Sequence, residues 1–121
     1  MMNSKELQDR TKKLALDIIL MADQLPDTIA GNVIARQIVR SGTSVGSNYR
    51  AVCRARSEKD FLSKLGIVIE EIDETLFWLE IIQEKDWLSE TLLNPLIQET
   101  DELTAIFVSS AKTMKTRLRA N

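Results

Sequence analysis

Apolar residues recur along the chain at alternating intervals of three and four positions, the pattern of helices that each bury one face. The first two faces read Leu7, Thr11, Leu14, Ile18, Met21, Leu25 and then Ile34, Ile38, Ser41, Val45, Tyr49, Val52. The next two read Phe61, Leu65, Val68, Ile72, Leu76, Leu79 and then Leu96, Thr100, Leu103, Phe107, Ser110, Met114. Because no segment alternates with the period of two that marks a strand, the pattern predicts an all-α fold. The expected architecture is one antiparallel up-down-up-down four-helix bundle over residues 1–121.

Residues that favour helix N-caps precede each predicted helix. The first three caps are predicted to be Asn3 or Ser4, Asp27 or Thr28, and Ser57 with Asp60 in a variant capping box. The fourth helix allows two starts. Either Asn94 caps a helix that begins at Pro95, or the helix begins at Ser89 and is kinked at the proline.

Gly42 and Gly46 interrupt the second helix, where each costs about 1 kcal/mol relative to alanine. Residues 41–47 could therefore form a loop, or the small residues could allow a neighbouring backbone to approach one continuous helix. The apolar face keeps the same phase on both sides of the glycines, so we favour the continuous helix.

Several apolar side chains fall outside the predicted buried faces of the first and third helices. They are Leu16, Leu20, Ile67, Trp78 and Ile81. Scattered exposed apolar residues are normal, but these lie together on one face of each helix, and a monomer rarely exposes such a patch. The pattern predicts a self-association surface.

Charge is sorted along the chain although the net charge is only −2. Residues 36–64 sum to +5, residues 65–104 to −10 and residues 105–121 to +4. On a helical projection four arginines lie opposite the apolar face of the second helix, and a fifth follows. They are Arg36, Arg40, Arg50, Arg54 and then Arg56.

Two interpretations of these arginines remain open. They could pair with acidic residues of a neighbouring helix or subunit, or they could follow the phosphates of RNA or DNA. The overall acidity argues against a stand-alone nucleic-acid-binding domain, since such domains are usually strongly basic.

The chain contains no histidine, which excludes Ser-His and Cys-His nucleophile pairs and Glu-x-x-His di-metal sites. A cluster of acidic residues could hold a hard cation, but a solvated acidic face is favoured. The cluster is Glu70, Glu71, Asp73 and Glu74. We expect no enzymatic activity, no cofactor and no bound metal.

The single cysteine, Cys53, cannot form an internal disulfide, which favours a reducing cytoplasm. Cys53 could be a reactive thiolate beside the arginines, although an inert residue is favoured. The beginning of the sequence lacks the pattern of a secretory signal, and no apolar run approaches the roughly 20 residues that span a bilayer. We therefore expect a cytoplasmic protein without membrane contact.

One stretch is recognisable. Residues 40–48 read RSGTSVGSN, residues 56–61 read RSEKDF, and Leu65 follows. Together with Leu25-Pro26 and Trp78-Leu79, these resemble the four-helix-bundle family encoded in 23S rRNA intervening sequences. The segment from Ser44 to Asn48 is its most specific part. The chain departs from many members at residues 49–52, where YRAV replaces IAEG, and at residues 70–71, where EE replaces GS.

The resemblance implies an antiparallel four-helix fold, a five-membered ring in several relatives, and no catalytic activity. A similar fold serves as the accessory protein of diversity-generating retroelements, which binds nucleic acid and a reverse transcriptase. The leading hypothesis is an oligomeric, non-catalytic accessory protein that contacts RNA, DNA or a ribonucleoprotein through its arginines. A purely structural protein–protein module is the alternative, and a carboxylate-metal hydrolase is a third.

Asn48 and Ser44 lie one turn apart at the edge of the apolar face, where partly buried polar groups must be hydrogen-bonded. The two side chains could form a polar pair, with Asn48 bonded to a neighbouring helix. Alternatively they form, with Arg40, the floor of a ligand site. We favour the hydrogen bond that fixes the fold.

Overall fold

The computed structural model describes residues 3–120 and contains four α-helices in that range. They are α1 (Ser4–Ala22), α2 (Ile29–Val52), α3 (Glu58–Glu84) and α4 (Glu90–Ala120). Each helix packs against the next in sequence, and α4 returns to contact α1, which confirms the predicted all-α bundle. Within the described residues there is no strand, and no helix is both long and apolar enough to cross a membrane.

Side chains cap the first three helices as predicted. The Asn3 side-chain oxygen accepts from the Glu6 amide at 2.9 Å, and the Thr28 hydroxyl accepts from the Gly31 amide at 3.0 Å. At the start of α3 the Ser57 hydroxyl accepts from the Asp60 amide at 3.0 Å. The Asp60 carboxylate in turn accepts from the backbone N–H of Arg56, one residue before the cap, at 3.0 Å. These bonds satisfy amides that the first helical turn leaves without intrahelical partners.

Of the two possible starts of the fourth helix, the structure has the earlier one. The Ser89 hydroxyl accepts from the Leu92 amide at 3.3 Å, and α4 begins at Glu90. Pro95 therefore lies inside the helix, where it cannot donate the bond that a helical residue normally makes to the carbonyl four positions earlier.

α2 is continuous through Gly42 and Gly46, as the constant phase of its apolar face predicted. The reason is close packing against α1. A Cβ at position 42 would lie 2.6 Å from Ile18 Cδ1, and one at position 46 would lie 3.4 Å from the carbonyl oxygen of Thr11. Gly42 therefore lets the two helices approach, whereas a Cβ at position 46 would make only an ordinary van der Waals contact. The packing of α2 on α1 offsets the low helix propensity of glycine.

The predicted faces of all four helices meet in one core, although Leu25, Phe61 and Met114, at the ends of those faces, are only half-buried. Two further positions differ locally. Thr75 rather than Leu76 is fully buried on α3, and Ala111 rather than Ser110 is buried on α4. Thr75 tolerates burial because its hydroxyl is bonded to the Glu71 carbonyl at 2.9 Å and to the Ser41 hydroxyl at 3.0 Å. The Ser41–Thr75 bond joins α2 to α3 inside the core.

Candidate nucleic-acid interface

The antiparallel topology brings three separate segments to one end of the bundle. These are residues 3–13, 50–64 and 105–120, which we call the basic end. Contacts across the bundle fix their common position. Arg117 Nη2 lies 2.6 Å from Glu58 Oε2, and Ser4, Arg56 and Met114, one from each segment, line the same cavity.

The basic end carries thirteen of the sixteen lysines and arginines but four of the eighteen acidic residues, a net charge of +9. The remaining segments, residues 14–49 and 65–104, carry three basic and fourteen acidic residues, a net charge of −11. We call them the acidic half. A net charge of −2 therefore conceals a strong separation of charge along the bundle, and the objection from overall acidity does not apply to the basic end.

Arg40 is engaged within the fold. Its guanidinium pairs with Glu71 at 3.1 Å and with Glu74, both on α3. The hydrogen bond with Glu74 raises the pKa of Arg40, and the Trp78 indole N–H also donates to Glu74, at 3.1 Å. For this arginine the structure shows the expected pairing with acids of a neighbouring helix.

The helical line of arginines is shorter than predicted. α2 ends at Val52, so Arg54 lies in the α2–α3 turn and not on the face of the helix. Arg36 is exposed in the acidic half. Arg50, Arg54 and Arg56 lie at the basic end, and within residues 3–120 no carboxylate lies within 4 Å of their guanidinium groups.

Sequence reasoning missed the lysines that join these arginines. Lys12 of α1 and Arg50 of α2 line the same groove of about 170 Å³. Lys112 and Lys115 on α4 are exposed at this end, as is Arg119. The positive charge of the last segment was visible in the sequence, and the predicted antiparallel topology already implied that α4 returns to the α2–α3 turn, but the charges of the separate segments were not added together.

Other basic side chains of α1 and α4 form ion pairs with carboxylates, so their charge is less available to a ligand. Lys5 and Lys13 form ion pairs one helical turn along α1, with Asp9 at 2.9 Å and Asp17 at 2.8 Å. Arg10 reaches across to two carboxylates of α4, and a hydrogen bond with one of them, Glu99, is the main cause of its raised pKa. Such pairing leaves Lys12 as the α1 cation best placed to meet an anion.

A cavity of about 560 Å³ opens at the tip of the basic end. Its lining includes Arg56, Phe61, Met114 and Arg117, contributed by the α2–α3 turn, α3 and α4. A second, mainly apolar groove of about 630 Å³ runs between α1 and α4 and shares Phe61 and Met114 with the cavity. The two hollows therefore adjoin each other at these two side chains.

The comparisons with known proteins agree with this fold. Residues 4–109 match the model of the 23S rRNA-intervening sequence protein family. The chain belongs to this family. It is also similar to a Bacteroides thetaiotaomicron protein of unknown function from the S23 ribosomal protein family, with 29% identity and a TM-score of 0.82. That similarity covers 92% of this chain and 99% of the other. No curated protein matches the chain.

The family signature residues Ser44 and Asn48 make local bonds. The Asn48 side-chain amide donates to the Ser44 carbonyl at 2.8 Å, and the Ser44 hydroxyl donates to the Arg40 carbonyl at 2.7 Å. The expected side-chain pair is absent from the described bonds, as is a bond from Asn48 to a neighbouring helix. Each side chain donates instead to the backbone carbonyl of α2 that lies one turn earlier, so the proton it donates is not available for a bond to another helix.

The predicted self-association residues divide into two groups. Leu16, Leu20 and Ile67 are exposed, at 55%, 66% and 43% of their surface. Trp78 and Ile81 are half-buried against the chain's own core. Within residues 3–120 every strongly exposed large apolar side chain lies in the acidic half. These are Leu16, Ile19, Leu20, Ile29, Val33, Ile67 and Phe77.

The acidic cluster and Cys53 were the other candidates for chemistry. Glu71 and Glu74 are held by Arg40, and within residues 3–120 no three cysteine or acidic side chains cluster as metal ligands would. Cys53 is the exposed C-cap residue of α2. Burial is the main cause of the raised pKa of its neighbour Tyr49.

Proposed function

We propose that this member of the family is a non-catalytic, cytoplasmic accessory protein that binds RNA or DNA at its basic end and self-associates through its acidic half. The observation that carries the proposal is the separation of charge between the two, +9 against −11. A phosphate backbone would be attracted to the first and repelled by the second, so the field of the protein would orient it.

The composition of the basic end suits phosphate binding. Arg50 and Lys12 line one groove, and Arg54 and Arg56 follow in the adjoining turn. Their charges are not neutralised by a described carboxylate within 4 Å, so binding phosphate would not require an existing ion pair to break. Arginine favours this role because its planar guanidinium donates two parallel hydrogen bonds to one phosphate.

The exposed apolar residues of the acidic half support the self-association part of the proposal. Leu16, Ile19 and Leu20 are exposed within one turn of α1, and Ile67 and Phe77 are exposed on α3. Removing such side chains from water stabilises a contact by about 25 cal/mol for each Å² of apolar surface buried. A closed ring of copies would bury them and carry several basic ends; family resemblance makes five copies the expected number.

A salt series tests the nucleic-acid part. We expect the logarithm of the affinity for labelled RNA or DNA to fall linearly with the logarithm of salt concentration, since bound phosphates release counterions. The combined variant Lys112→Gln, Lys115→Gln and Arg119→Gln should weaken binding and reduce the slope by about 2 to 3. The matched control, Arg36→Gln with Lys85→Gln in the acidic half, should change neither quantity. No binding at low salt would leave the purely structural module as the function.

A further inference from the structure

The cavity at the tip of the bundle differs from the rest of the basic end. The surrounding surface is polar and cationic, whereas the cavity and the adjoining α1–α4 groove contain the side chains of Phe61 and Met114. Phe61 is half-buried, packs on the edge of the core and lines both hollows. The side chain of Phe61 therefore borders two hollows at the basic end.

A bound duplex would not need such a cavity. A duplex presents its phosphates outward and keeps its bases stacked, so a convex cationic surface is sufficient. A single strand also presents apolar base faces, which stack on aromatic rings and on the planes of arginine side chains. Arg56 lines the cavity beside Phe61, and within residues 3–120 no carboxylate lies within 4 Å of its guanidinium. Glu58 and Arg117 also line the cavity and are paired with each other at 2.6 Å.

We propose that this cavity binds an unpaired nucleobase, so that the basic end is selective for single-stranded nucleic acid. Phe61 is the stacking surface, and Arg56 binds the phosphate of the nucleotide whose base enters. The α1–α4 groove beyond Phe61 offers room for the neighbouring base. The inference rests on the proposed function, because without nucleic-acid binding the cavity has no such ligand.

The test compares three labelled oligonucleotides of one length by fluorescence anisotropy, and each is used as RNA and as DNA. The first is a single strand, the second the same strand with abasic nucleotides at its centre, and the third a blunt duplex. The abasic strand keeps every phosphate and loses the base faces. We expect it to bind at least about fivefold more weakly than the intact strand, given the usual contribution of base stacking.

Phe61→Leu should produce the same loss with the intact strand and little change with the duplex. Its matched control is Trp87→Leu, a half-buried aromatic residue between α3 and α4 that belongs to neither proposed surface, which should bind both as the wild type does. If Phe61→Leu fails to fold, the abasic comparison on the wild type still decides.

Equal affinity for intact and abasic strands, with a steep salt dependence, would overturn the base cavity and leave the proposed function standing. A single strand that binds no better than the duplex would have the same meaning. Absence of binding to all three oligonucleotides would overturn both proposals.

Discussion

The two halves of this bundle use their charged side chains in different ways. In the acidic half Arg40 is paired with Glu71 and Glu74 and contributes to the packing of α2 on α3. At the basic end Arg50, on the same helix, shares a groove with Lys12. The halves also differ in apolar exposure, since the exposed leucines, isoleucines and phenylalanine of the described chain lie in the acidic half. Arg40 and Arg50 are therefore the same residue type on one helix in different surroundings. The difference is set by the neighbouring side chains, which are carboxylates beside Arg40 and a lysine beside Arg50.

The largest expected effect is the loss of self-association. The double variant Leu16→Glu and Leu20→Glu places two charges where we propose a desolvated contact, and it should convert the oligomer fully to monomer. Light scattering after size exclusion measures the mass. Gln24→Glu adds a charge just beyond α1 and should leave assembly intact. A wild-type protein that is already monomeric at tens of micromolar would contradict the assembly proposal.

The second prediction compares the two arginines of α2 directly. Arg50→Gln should weaken nucleic-acid binding about threefold to tenfold and leave unfolding unchanged, because it removes one phosphate contact and no described ion pair. Arg40→Gln should do the reverse. It leaves Glu71 and Glu74 without their shared cation, so the midpoint of urea unfolding should fall while binding holds. Anisotropy and urea titrations on both variants decide; equal loss of binding would mean that Arg40 also contacts the ligand.

The third prediction concerns pH in the acidic half. The pKa of Glu74 is lowered, first by the hydrogen bond from Trp78 and then by Arg40. Since the folded state favours the ionised form, Glu74 stabilises the protein above its ordinary pKa of 4.5, and this contribution is lost as the pH falls through the lower, folded-state pKa. Glu74→Gln should therefore be less stable than the wild type at pH 7, and the gap should close in acid. Urea unfolding across this range measures it, with Asp73→Asn as the control; a gap that does not change with pH would refute the assignment.

The smallest effect is expected at Asn48. Its amide bonds to a carbonyl within its own helix, so Asn48→Ala should change the unfolding free energy by less than about 0.5 kcal/mol. Thr75→Ala is the informative companion. It removes a buried hydroxyl that joins α3 to α2 and should cost about 1–3 kcal/mol. A larger loss at Asn48 than at Thr75 would show that the signature residue supports the fold in a way these bonds do not reveal.

Much of the fold was predictable from the sequence because it depends on local patterns. Residue type narrowed the first two caps to two neighbouring residues each and selected Ser57 for the third, and the phase of the apolar face predicted the continuity of α2. The end of α2 was harder to predict from the sequence. Arg54 continues the helical spacing, so the periodicity gave no sign that the helix stops at Val52.

The candidate interface was only partly predictable, because it is assembled from segments far apart in the sequence. The run of charges around Arg50 was visible, so was the positive last segment, and the predicted antiparallel topology implied their proximity; which of these side chains are paired and which share a groove was not visible. For Arg40 the sequence offered pairing with acids of a neighbouring helix as one alternative, but it did not identify Glu71 and Glu74, which lie more than thirty positions away. Sequence periodicity reports which face a residue occupies and does not report what lies opposite it.

Hydrogen–deuterium exchange of the protein with and without a single-stranded RNA tests the central claim most directly. The claim is that the basic end binds nucleic acid and the acidic half does not. We predict slower exchange on binding in peptides from residues 50–64 and 105–120, where local opening would be suppressed, and no change around residues 29–40 and 70–84. Protection confined to the acidic half, or no protection under conditions in which the RNA is bound, would contradict the account.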